Sequence, residues 1–335
     1  MRFLRKALEV LTLAGFLSGC AGSPTFLNPA SPIAGHEAGL YRTIVYLAAG
    51  VFVLVEGALL YSILRFRHRP DDSTEPRQKY GNPRLEVIWT ATPVLLVATL
   101  FVLTIRTMGA VAAPAAASTD IQVTIVGHQW WWEFDYPDLG IVTSNELHIP
   151  TGTAVHASLV SEDVIHSFWI PQLSGKVDVV PGQTNTIWFR SEEPGEYHGQ
   201  CAEFCGLNHA NMRIKAVVET QAEFDAWVAN QDLPPPAPSG QAEQAAFDLI
   251  THGICSNCHA LGEATPDQQG KKLIGPNLNH LMSRSVFAGA TFELTPDNLK
   301  RWLQDTQLMK PGNDMVVKLK PDEIEALMAY LTQLK

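Results

Sequence analysis

The stretch Cys201-Ala-Glu-Phe-Cys205-Gly-Leu-Asn-His209-Ala-Asn-Met212 is the most informative part of this chain. It brings two thiols, an imidazole and a thioether into one short loop. Soft sulfur ligands combined with imidazole are the set that selects copper. Because the two cysteines are so close in sequence, their sulfurs can bridge a pair of metal ions. The loop therefore predicts a dinuclear copper centre, a site suited to electron transfer.

A second imidazole lies upstream, in the segment Asp163-Val-Ile-His166-Ser-Phe-Trp-Ile-Pro171. We expect His166 and His209 to terminate opposite ends of the centre. Met212 would be a weak ligand of one copper, and the backbone carbonyl of Glu203 a ligand of the other. The two segments together supply ligands for both metal ions.

Two simpler interpretations are open from these residues alone. A disulfide between Cys201 and Cys205 would form in an oxidising compartment, but it leaves His209 and Met212 without a role. A zinc site would use the cysteines and histidines but not a thioether. Both alternatives therefore explain less of the pattern than copper does.

The copper loop, the Asp-Val-Ile-His-Ser segment and Gly127-His-Gln-Trp130-Trp-Trp resemble subunit II of haem–copper cytochrome c oxidases. The resemblance runs from about Glu37 to about Trp227 and implies a cupredoxin fold with a copper A centre. It also implies that Trp130 lies on the route by which electrons enter, and that Glu203 holds a magnesium ion shared with subunit I. The copper A ligands that it implies are His166, Cys201, Glu203, Cys205, His209 and Met212.

The aromatic run that contains Trp130 has a structural explanation as well. Core packing accounts for some of it, because alternate residues of a strand face inward. Three consecutive tryptophans cannot, however, all point into one core. Asp163, three residues before His166, is a candidate partner for that imidazole or a contact to subunit I.

Length, charge and cysteine content set further limits. The 335 residues allow two or three domains. The net charge of −10 argues against nucleic acid as a partner. It suits a basic donor such as a cytochrome c, although a merely solvated acidic surface explains it equally well. No cysteine is left over for a structural disulfide, because all five have a candidate role: Cys20, Cys201, Cys205, Cys255 and Cys258.

Residues 1–20 have the pattern of a secretory signal. Basic residues are followed by an apolar run and then by small residues. The ending Leu17-Ser-Gly-Cys20 resembles a bacterial lipoprotein cleavage box, which makes Cys20 a candidate lipidated N-terminus. Ordinary signal cleavage nearby, or retention as an uncleaved anchor, is the alternative.

Residues 37–108 predict a transmembrane helical hairpin. The spans run from about Leu40 to Leu64 and from about Val87 to Ile105, and each is long enough to cross a bilayer. The connector is rich in arginine and lysine, which places it in the cytoplasm. We therefore expect a two-pass protein of a bacterial plasma membrane, in contact with lipid. Everything after Met108 would then lie on the outer, periplasmic side.

Glu86 stands where the second span enters the membrane. An acid at the flank of a helix is ordinarily just an interfacial residue. The resemblance implies a different role, because an acid at this place in oxidase subunit II lies near the mouth of a proton path into subunit I.

Residues 119–230 predict an all-β sandwich. Ile121, Val123 and Ile125 share one strand face, and β-rich runs follow at Ala154–Val160, Thr186–Phe189 and Ile214–Val218. Glycine and proline turns separate these runs, which is typical of an antiparallel sandwich. The copper ligands fall at strand ends and on one loop, where a rigid sandwich would hold a metal.

Residues 231–240 form a proline-rich linker to a third domain, residues 241–335. The motif Cys255-Ser-Asn-Cys258-His259 has the spacing of c-type haem attachment. The thiols would bind the haem covalently, and His259 would bind its iron. A zinc-ribbon half lacks its second cysteine pair, and a thioredoxin-like pair lacks a βαβ setting. The domain resembles the all-α mono-haem cytochromes c.

The sixth iron ligand should be a methionine on the loop between the last two predicted helices. Met309 and Met315 both qualify by position. The family pattern, with methionine shortly after Pro311-Gly312, favours Met315. The chain departs from that pattern at Val316, where the family commonly has proline.

These modules together predict a membrane-anchored electron conduit. The resemblance implies subunit II of a caa-type cytochrome c oxidase, with subunit I and subunit III as partners. Haem c would accept electrons from an external cytochrome c or another periplasmic donor and pass them to copper A. Subunit I would then reduce dioxygen to water and pump protons. The alternatives are a copper A subunit of another respiratory reductase and a copper-binding or delivery module, although a delivery module needs no covalent haem.

Overall fold

The computed structural model describes residues 24–67, 78, 80–112, 114, 117, 119–262 and 274–335. The predicted signal segment with Cys20 lies outside these residues, as does part of the basic connector.

Two long apolar helices form the predicted hairpin, α1 (Pro32–Arg65) and α2 (Pro83–Val111). Each contains an 18-residue segment with a mean hydropathy of 2.1 and is long enough to cross a membrane. Both begin earlier than the predicted spans, because a capping residue and a proline start each helix. Ser31 caps α1 by accepting a hydrogen bond from the amide of Ala34 at 3.0 Å.

The β domain contacts the N-terminal end of α1 and the C-terminal end of α2. The amide of Ala30, just before α1, donates to the carbonyl of Gln172 at 2.9 Å. Trp188 Nε1 donates to the carbonyl of Val111, the last residue of α2, at 2.9 Å. The hairpin and the β domain are therefore joined by direct contacts as well as by the chain.

The β domain is a sandwich of two five-stranded sheets, with orders β3-β2-β1-β5-β8 and β4-β10-β9-β6-β7. The strands are β1 (Ile121–His128), β2 (Trp131–Tyr136), β3 (Ile141–Ser144), β4 (Glu146–Pro150), β5 (Val155–Ser161), β6 (His166–Trp169), β7 (Val177–Val179), β8 (Asn185–Phe189), β9 (Gly195–Cys201) and β10 (Arg213–Glu219). The prediction of a wholly antiparallel sandwich needs correction, because β1 pairs with β5 and β4 with β10 in parallel. Connections that cross from one sheet to the other produce these two pairs.

The core lies between the two sheets and follows the strand alternation. Val123 and Ile125 are buried on β1, and every second residue of β5 faces inward. Trp132, Phe134 and Tyr136 enter the same core from β2 and are fully buried.

Three strands meet at the end of the sandwich where the ligand residues lie. β9 ends at Cys201, and its antiparallel partner β10 starts directly after Met212, so the copper loop connects neighbouring strands. β6 begins at His166 and pairs with β9, with Phe168 opposite Cys201. Regular strand pairing thus brings the upstream histidine to the loop.

The C-terminal region is helical, as predicted. Helix α3 (Gln221–Gln231) packs back on the sandwich, where Trp227 stacks on His148. The third domain, residues 241–335, is here called the haem domain after its predicted ligand. It contains α4 (Gln241–Thr251), α5 (Pro296–Gln304), α6 (Thr306–Met309) and α7 (Pro321–Leu331). A short ribbon, β11 (Val286–Phe287) with β12 (Phe292–Glu293), was not predicted. Its turn contacts the strand that follows the copper loop, where the amide of Arg213 donates to the carbonyl of Gly289 at 2.8 Å.

Candidate metal centre and haem cavity

Sulfur and imidazole groups form a compact cluster at the end of the sandwich. The sulfurs of Cys201 and Cys205 lie 3.7 Å apart at its centre. Nδ1 of His166 lies 3.9 Å from the sulfur of Cys201, and Nδ1 of His209 lies 3.6 Å from that of Cys205. The two imidazoles therefore sit beside different sulfurs, as the prediction of opposite ends requires.

Met212 and Glu203 complete the cluster. The sulfur of Met212 lies 3.8 Å from that of Cys205, and the side chain is fully buried. The backbone carbonyl of Glu203 lies 3.2 Å from the sulfur of Cys201. The Glu203 side chain is exposed, so its carboxylate faces away from the sulfur pair.

The donor set fits a copper pair. Both cysteines are free thiols, and their separation of 3.7 Å compares with about 2.0 Å in a disulfide. The hydrogen bond between the two sulfurs lowers the pKa of Cys201 to about 3. The same hydrogen bond raises the pKa of Cys205. The lowered pKa favours the thiolate of Cys201, the form that binds metals.

Contacts behind the cluster fix the ring of His166. Its Nε2 lies 2.7 Å from Oδ1 of Asp163, which confirms the predicted partner of this imidazole. A Cβ at Gly127 would lie only 2.9 Å from the ring, so glycine is required there. Trp132 meets the ring edge-on, with centroids 5.9 Å apart. The imidazole therefore has one orientation, with Nδ1 towards the sulfurs.

Trp130 packs directly on the copper loop. Its Nε1 donates to the carbonyl of Cys205 at 3.0 Å, and Nε2 of Gln129 donates to the same oxygen at 2.7 Å. Gly206 has a φ of +116°, and a Cβ there would lie 3.1 Å from the Trp130 ring. The loop thus follows the surface of the indole closely.

A second site is a cavity of about 580 Å³ between the haem domain and the β domain, which is called the copper domain from here on. The haem motif lines it with Cys255, Cys258 and His259. Met315 lines it as well and accepts a hydrogen bond from Trp302 Nε1 at 3.2 Å. Met309 is not among the described residues that line it, so the geometry favours Met315 as the iron ligand.

His259 is held in the form that binds a metal. Its Nδ1 lies 2.7 Å from the carbonyl of Pro276, which can only accept, so the proton is on Nδ1. Burial lowers the pKa of His259 and keeps the ring neutral. A Cβ at Gly275 would lie 2.5 Å from this ring. Together with two thiols and a thioether, this imidazole fits a haem c.

Arg284 gives a further test of that fit, because it is buried in the cavity wall. Its Nη2 donates to the carbonyls of Asn277 and Asn279, both at 2.9 Å, and Nη1 donates to Ser144 at 2.8 Å. Within the described residues its Nε has no hydrogen-bond partner. A haem propionate would supply an acceptor there.

The contact between the haem and copper domains, here called the docking interface, was missed from the sequence. Trp131 lies in it, stacked on His128 with centroids 4.2 Å apart, and its Nε1 donates to the carbonyl of Ile274 at 3.1 Å. Lys310 lies in it as well and contacts Trp130. Nothing in the local pattern of either residue distinguishes an interface position from an ordinary surface one.

A polar network forms the other half of the docking interface. Glu146 on β4 accepts hydrogen bonds from the amides of Ser285 and Val286 at 2.8 and 3.1 Å, and from the Ser285 hydroxyl. Lys215 Nζ donates to that hydroxyl at 2.6 Å. Because Glu146 and Lys215 are both buried, these contacts fix the relative position of the domains.

Comparison with known proteins agrees with this architecture. Residues 21–106 match the model of the cytochrome c oxidase subunit II transmembrane domain, and residues 140–220 match that of its periplasmic domain. Residues 246–335 match the cytochrome c family. All three parts of the chain are thus accounted for.

Two relatives are similar along nearly their whole length. Cytochrome c oxidase subunit 2 of Alkalihalophilus pseudofirmus is 34% identical, over 100% of this chain and 97% of the relative. The Bacillus subtilis protein of the same name is 35% identical, over 95% of this chain and 94% of the relative. A crystal structure of the periplasmic domain of cytochrome oxidase subunit II from Bradyrhizobium japonicum is 30% identical. The matched region covers 34% of this chain and 95% of the crystallised chain, with a TM-score of 0.33.

Proposed function

Because this chain belongs to the cytochrome c oxidase subunit II family, we propose that it carries electrons from haem c to copper A and on to subunit I. Membership makes it part of a haem–copper oxidase, an oxidoreductase complex. Subunit I is accordingly its partner, and the family domains imply copper A and a haem. The covalent attachment of that haem, the order of electron flow and the link to proton pumping belong to the proposal.

The two sites hold redox groups that, when bound, accept and donate single electrons. The haem would be bound through thioethers to Cys255 and Cys258, with His259 and Met315 at the iron. The copper pair would be bound by His166, Cys201, Cys205, His209, Met212 and the carbonyl of Glu203.

One observation carries the proposed order of flow: the haem domain covers the tryptophan beside the copper loop. Trp130 is only 9% exposed and Trp131 only 6%, and both line the haem cavity. This burial supports delivery of the electron by an external donor to the haem domain rather than directly to Trp130. From the cavity, Trp130 leads to the carbonyl of Cys205 through a single hydrogen bond.

The remaining assignments extend the same proposal. The hairpin would lie in a bacterial plasma membrane, in contact with lipid, with the copper and haem domains on the periplasmic side. Glu86, exposed in the first turn of α2, would open a proton path into subunit I. The exposed Glu203 carboxylate would reach a magnesium ion at that subunit. Subunit III and an external cytochrome c are the further partners, and Cys20 is the candidate lipid anchor.

Flash reduction of the purified complex, with haem c and copper A followed separately, tests the order of flow. Haem c should be reduced first, and copper A should follow at a rate nearly independent of salt, because a tethered transfer needs no charged encounter. Reduction of haem c by a cytochrome donor should depend on salt.

The matched control replaces Cys255 and Cys258 by alanine, which removes the haem and leaves the copper ligands intact. Copper A should then lose its fast reduction. If it were reduced at the wild-type rate, the haem domain would be an accessory and the proposed order would be wrong.

A further inference from the structure

Lys310 occupies an unusual position for a lysine, because its side chain is only 3% exposed. It follows α6 and begins the loop that leads to Met315. Its Nζ donates to the carbonyl oxygens of Trp130 and Asn211, each at 3.0 Å, and of Ala288 at 2.9 Å. An ammonium ion has three donors, so all of them are used.

The three acceptors belong to three different segments. Trp130 precedes β2 beside the copper loop, and Asn211 is the residue before Met212. Ala288 lies in the turn between β11 and β12 of the haem domain. One ammonium ion therefore joins the loop of the proposed iron ligand to the tryptophan beside copper and to the copper loop itself.

Neighbouring contacts show that the backbones are packed closely at this point. Gly289 has a φ of +75°, and a Cβ there would lie 2.6 Å from the carbonyl oxygen of Asn211 and 2.7 Å from that of Trp130. The amide of Arg213 donates to the carbonyl of Gly289 at 2.8 Å, and Asn208 Nδ2 donates to that of Pro311 at 2.9 Å. The copper loop and the haem domain thus meet backbone to backbone around the ammonium ion.

Packing alone does not account for a charge in this position. Burying an ammonium ion costs free energy unless its donors are satisfied, and an apolar side chain of similar length would fill the same space. Here the partners are three carbonyl oxygens, two from the copper domain and one from the haem domain. The charge therefore has a directional effect that an apolar chain would lack.

We propose that Lys310 is a positioning residue for electron transfer, holding the haem domain and the copper loop at one fixed separation. The proposal rests on the proposed function only in that the two centres exchange an electron. In that exchange one electron leaves the ferrous haem and one reaches the copper pair, and no bond of Lys310 is made or broken. Because electron tunnelling falls steeply with distance, a looser interface should slow the exchange in either direction.

The test uses the full chain in its complex, with Lys310→Met, which keeps the length of the side chain and removes its donors. Lys320→Met is the matched control, since Lys320 is an exposed lysine of the same domain that pairs with Glu323. The first readout is hydrogen exchange of the Arg213 amide, which does not depend on redox activity. Loss of the ammonium ion should speed this exchange about tenfold or more, and the control should not change it.

The second readout is the rate of electron transfer between haem c and copper A after flash reduction. Lys310→Met should lower this rate about tenfold or more, because the separation is no longer fixed. The rate at which an external donor reduces haem c should not change. If Lys310→Met changed neither the hydrogen exchange of the Arg213 amide nor the rate of electron transfer, Lys310 would be a packing residue and the proposal would be wrong.

A second variant protects the test against misfolding. Lys310→Gln keeps two amide donors and should give intermediate values if Lys310→Met loses its copper or haem spectrum. If Lys310→Gln matched the wild type in both readouts, the proposal would also fail. If copper A proved to be reduced without haem c, the proposed order of flow would be wrong, while hydrogen exchange at Arg213 would still decide whether Lys310 holds the interface.

Discussion

Replacing Glu146 by glutamine should loosen the docking interface without disturbing either redox site. The carboxylate is 2% exposed and accepts hydrogen bonds from the amides of Ser285 and Val286 at 2.8 and 3.1 Å. Glutamine has almost the same shape, and its carbonyl oxygen can still accept both. What changes is the charge of the acceptor.

The size of the effect follows from that change. A hydrogen bond to a charged group contributes about 1.5–3 kcal/mol net, and one between neutral groups about 0.5–1.5 kcal/mol. The difference is about 1 kcal/mol for each of the two backbone bonds, or about 2 kcal/mol in total. The docked state should therefore become roughly 30-fold less favoured relative to the undocked state.

Hydrogen exchange of the Ser285 and Val286 amides measures this directly, because both are protected only while the domains are docked. Exchange should be roughly 30-fold faster in Glu146→Gln than in the wild type. Glu192→Gln is the control, because Glu192 is exposed and pairs with Arg190, at 2.8 Å, within the copper domain. Equal exchange in the two variants would refute the claim that the charge of Glu146 stabilises docking.

The same network predicts a pH dependence. Burial opposes ionisation of Glu146, yet hydrogen bonds from His148 and Ser285 bring its pKa below the ordinary 4.5. Burial likewise opposes protonation of His148, but Glu146 and Glu219 raise its pKa above 6.5. The contribution of Glu146 to the free energy of unfolding is complete above pH 4.5 and is lost as the pH falls through its lowered pKa. The contribution of His148 is complete below pH 6.5 and is lost as the pH rises through its raised pKa. The folded state should therefore be most stable between these two values, and Glu146→Gln should flatten the profile of thermal unfolding against pH.

Three further changes test the two sites. Met315→Ala should abolish the sulfur-to-iron absorption band of the oxidised haem and lower its reduction potential, whereas Met309→Ala should do neither; the reverse result would move the ligand to Met309. Met212→Leu should retain some copper but shift its potential and slow transfer, because a weak thioether tunes the site more than it holds the metal; a wild-type potential would argue against ligation. Gly275→Ala should destabilise the haem domain by roughly 1–3 kcal/mol, as measured by thermal unfolding, because its Cβ would lie 2.5 Å from the His259 ring.

The clustering of the candidate copper ligands was predictable because their geometry is mostly local. Cys201, Cys205, His209 and Met212 lie on one loop between neighbouring strands, so few conformations are open to them. Only His166 comes from elsewhere, and it stands at the start of a strand that pairs with β9. The grouping of the three haem-motif residues at one cavity was predictable for the same reason, since they are consecutive or nearly so in the sequence.

The docking interface was not predictable, because it depends on which surfaces of two domains meet. Glu146 and Lys215 lie on strands at positions where a charge usually faces solvent. Lys310 stands in a loop next to proline and glycine, where a lysine is ordinary. Only the fold shows that all three residues are buried and that each forms a hydrogen bond across the boundary between the two domains.

The three consecutive tryptophans show how the fusion changes the meaning of a local pattern. Strand alternation sends Trp132 into the core, and Trp131 must therefore face outward. In a copper domain without a haem domain, Trp131 would be a large exposed aromatic surface, of the kind on which a separate partner docks. In this chain the carbonyl of Ile274 meets its indole, and the same domain covers Trp130. The domain with the haem motif thus occupies the surface that would otherwise receive a diffusing donor. Under the proposed order of flow, the salt-sensitive encounter would then take place on the outer face of that domain.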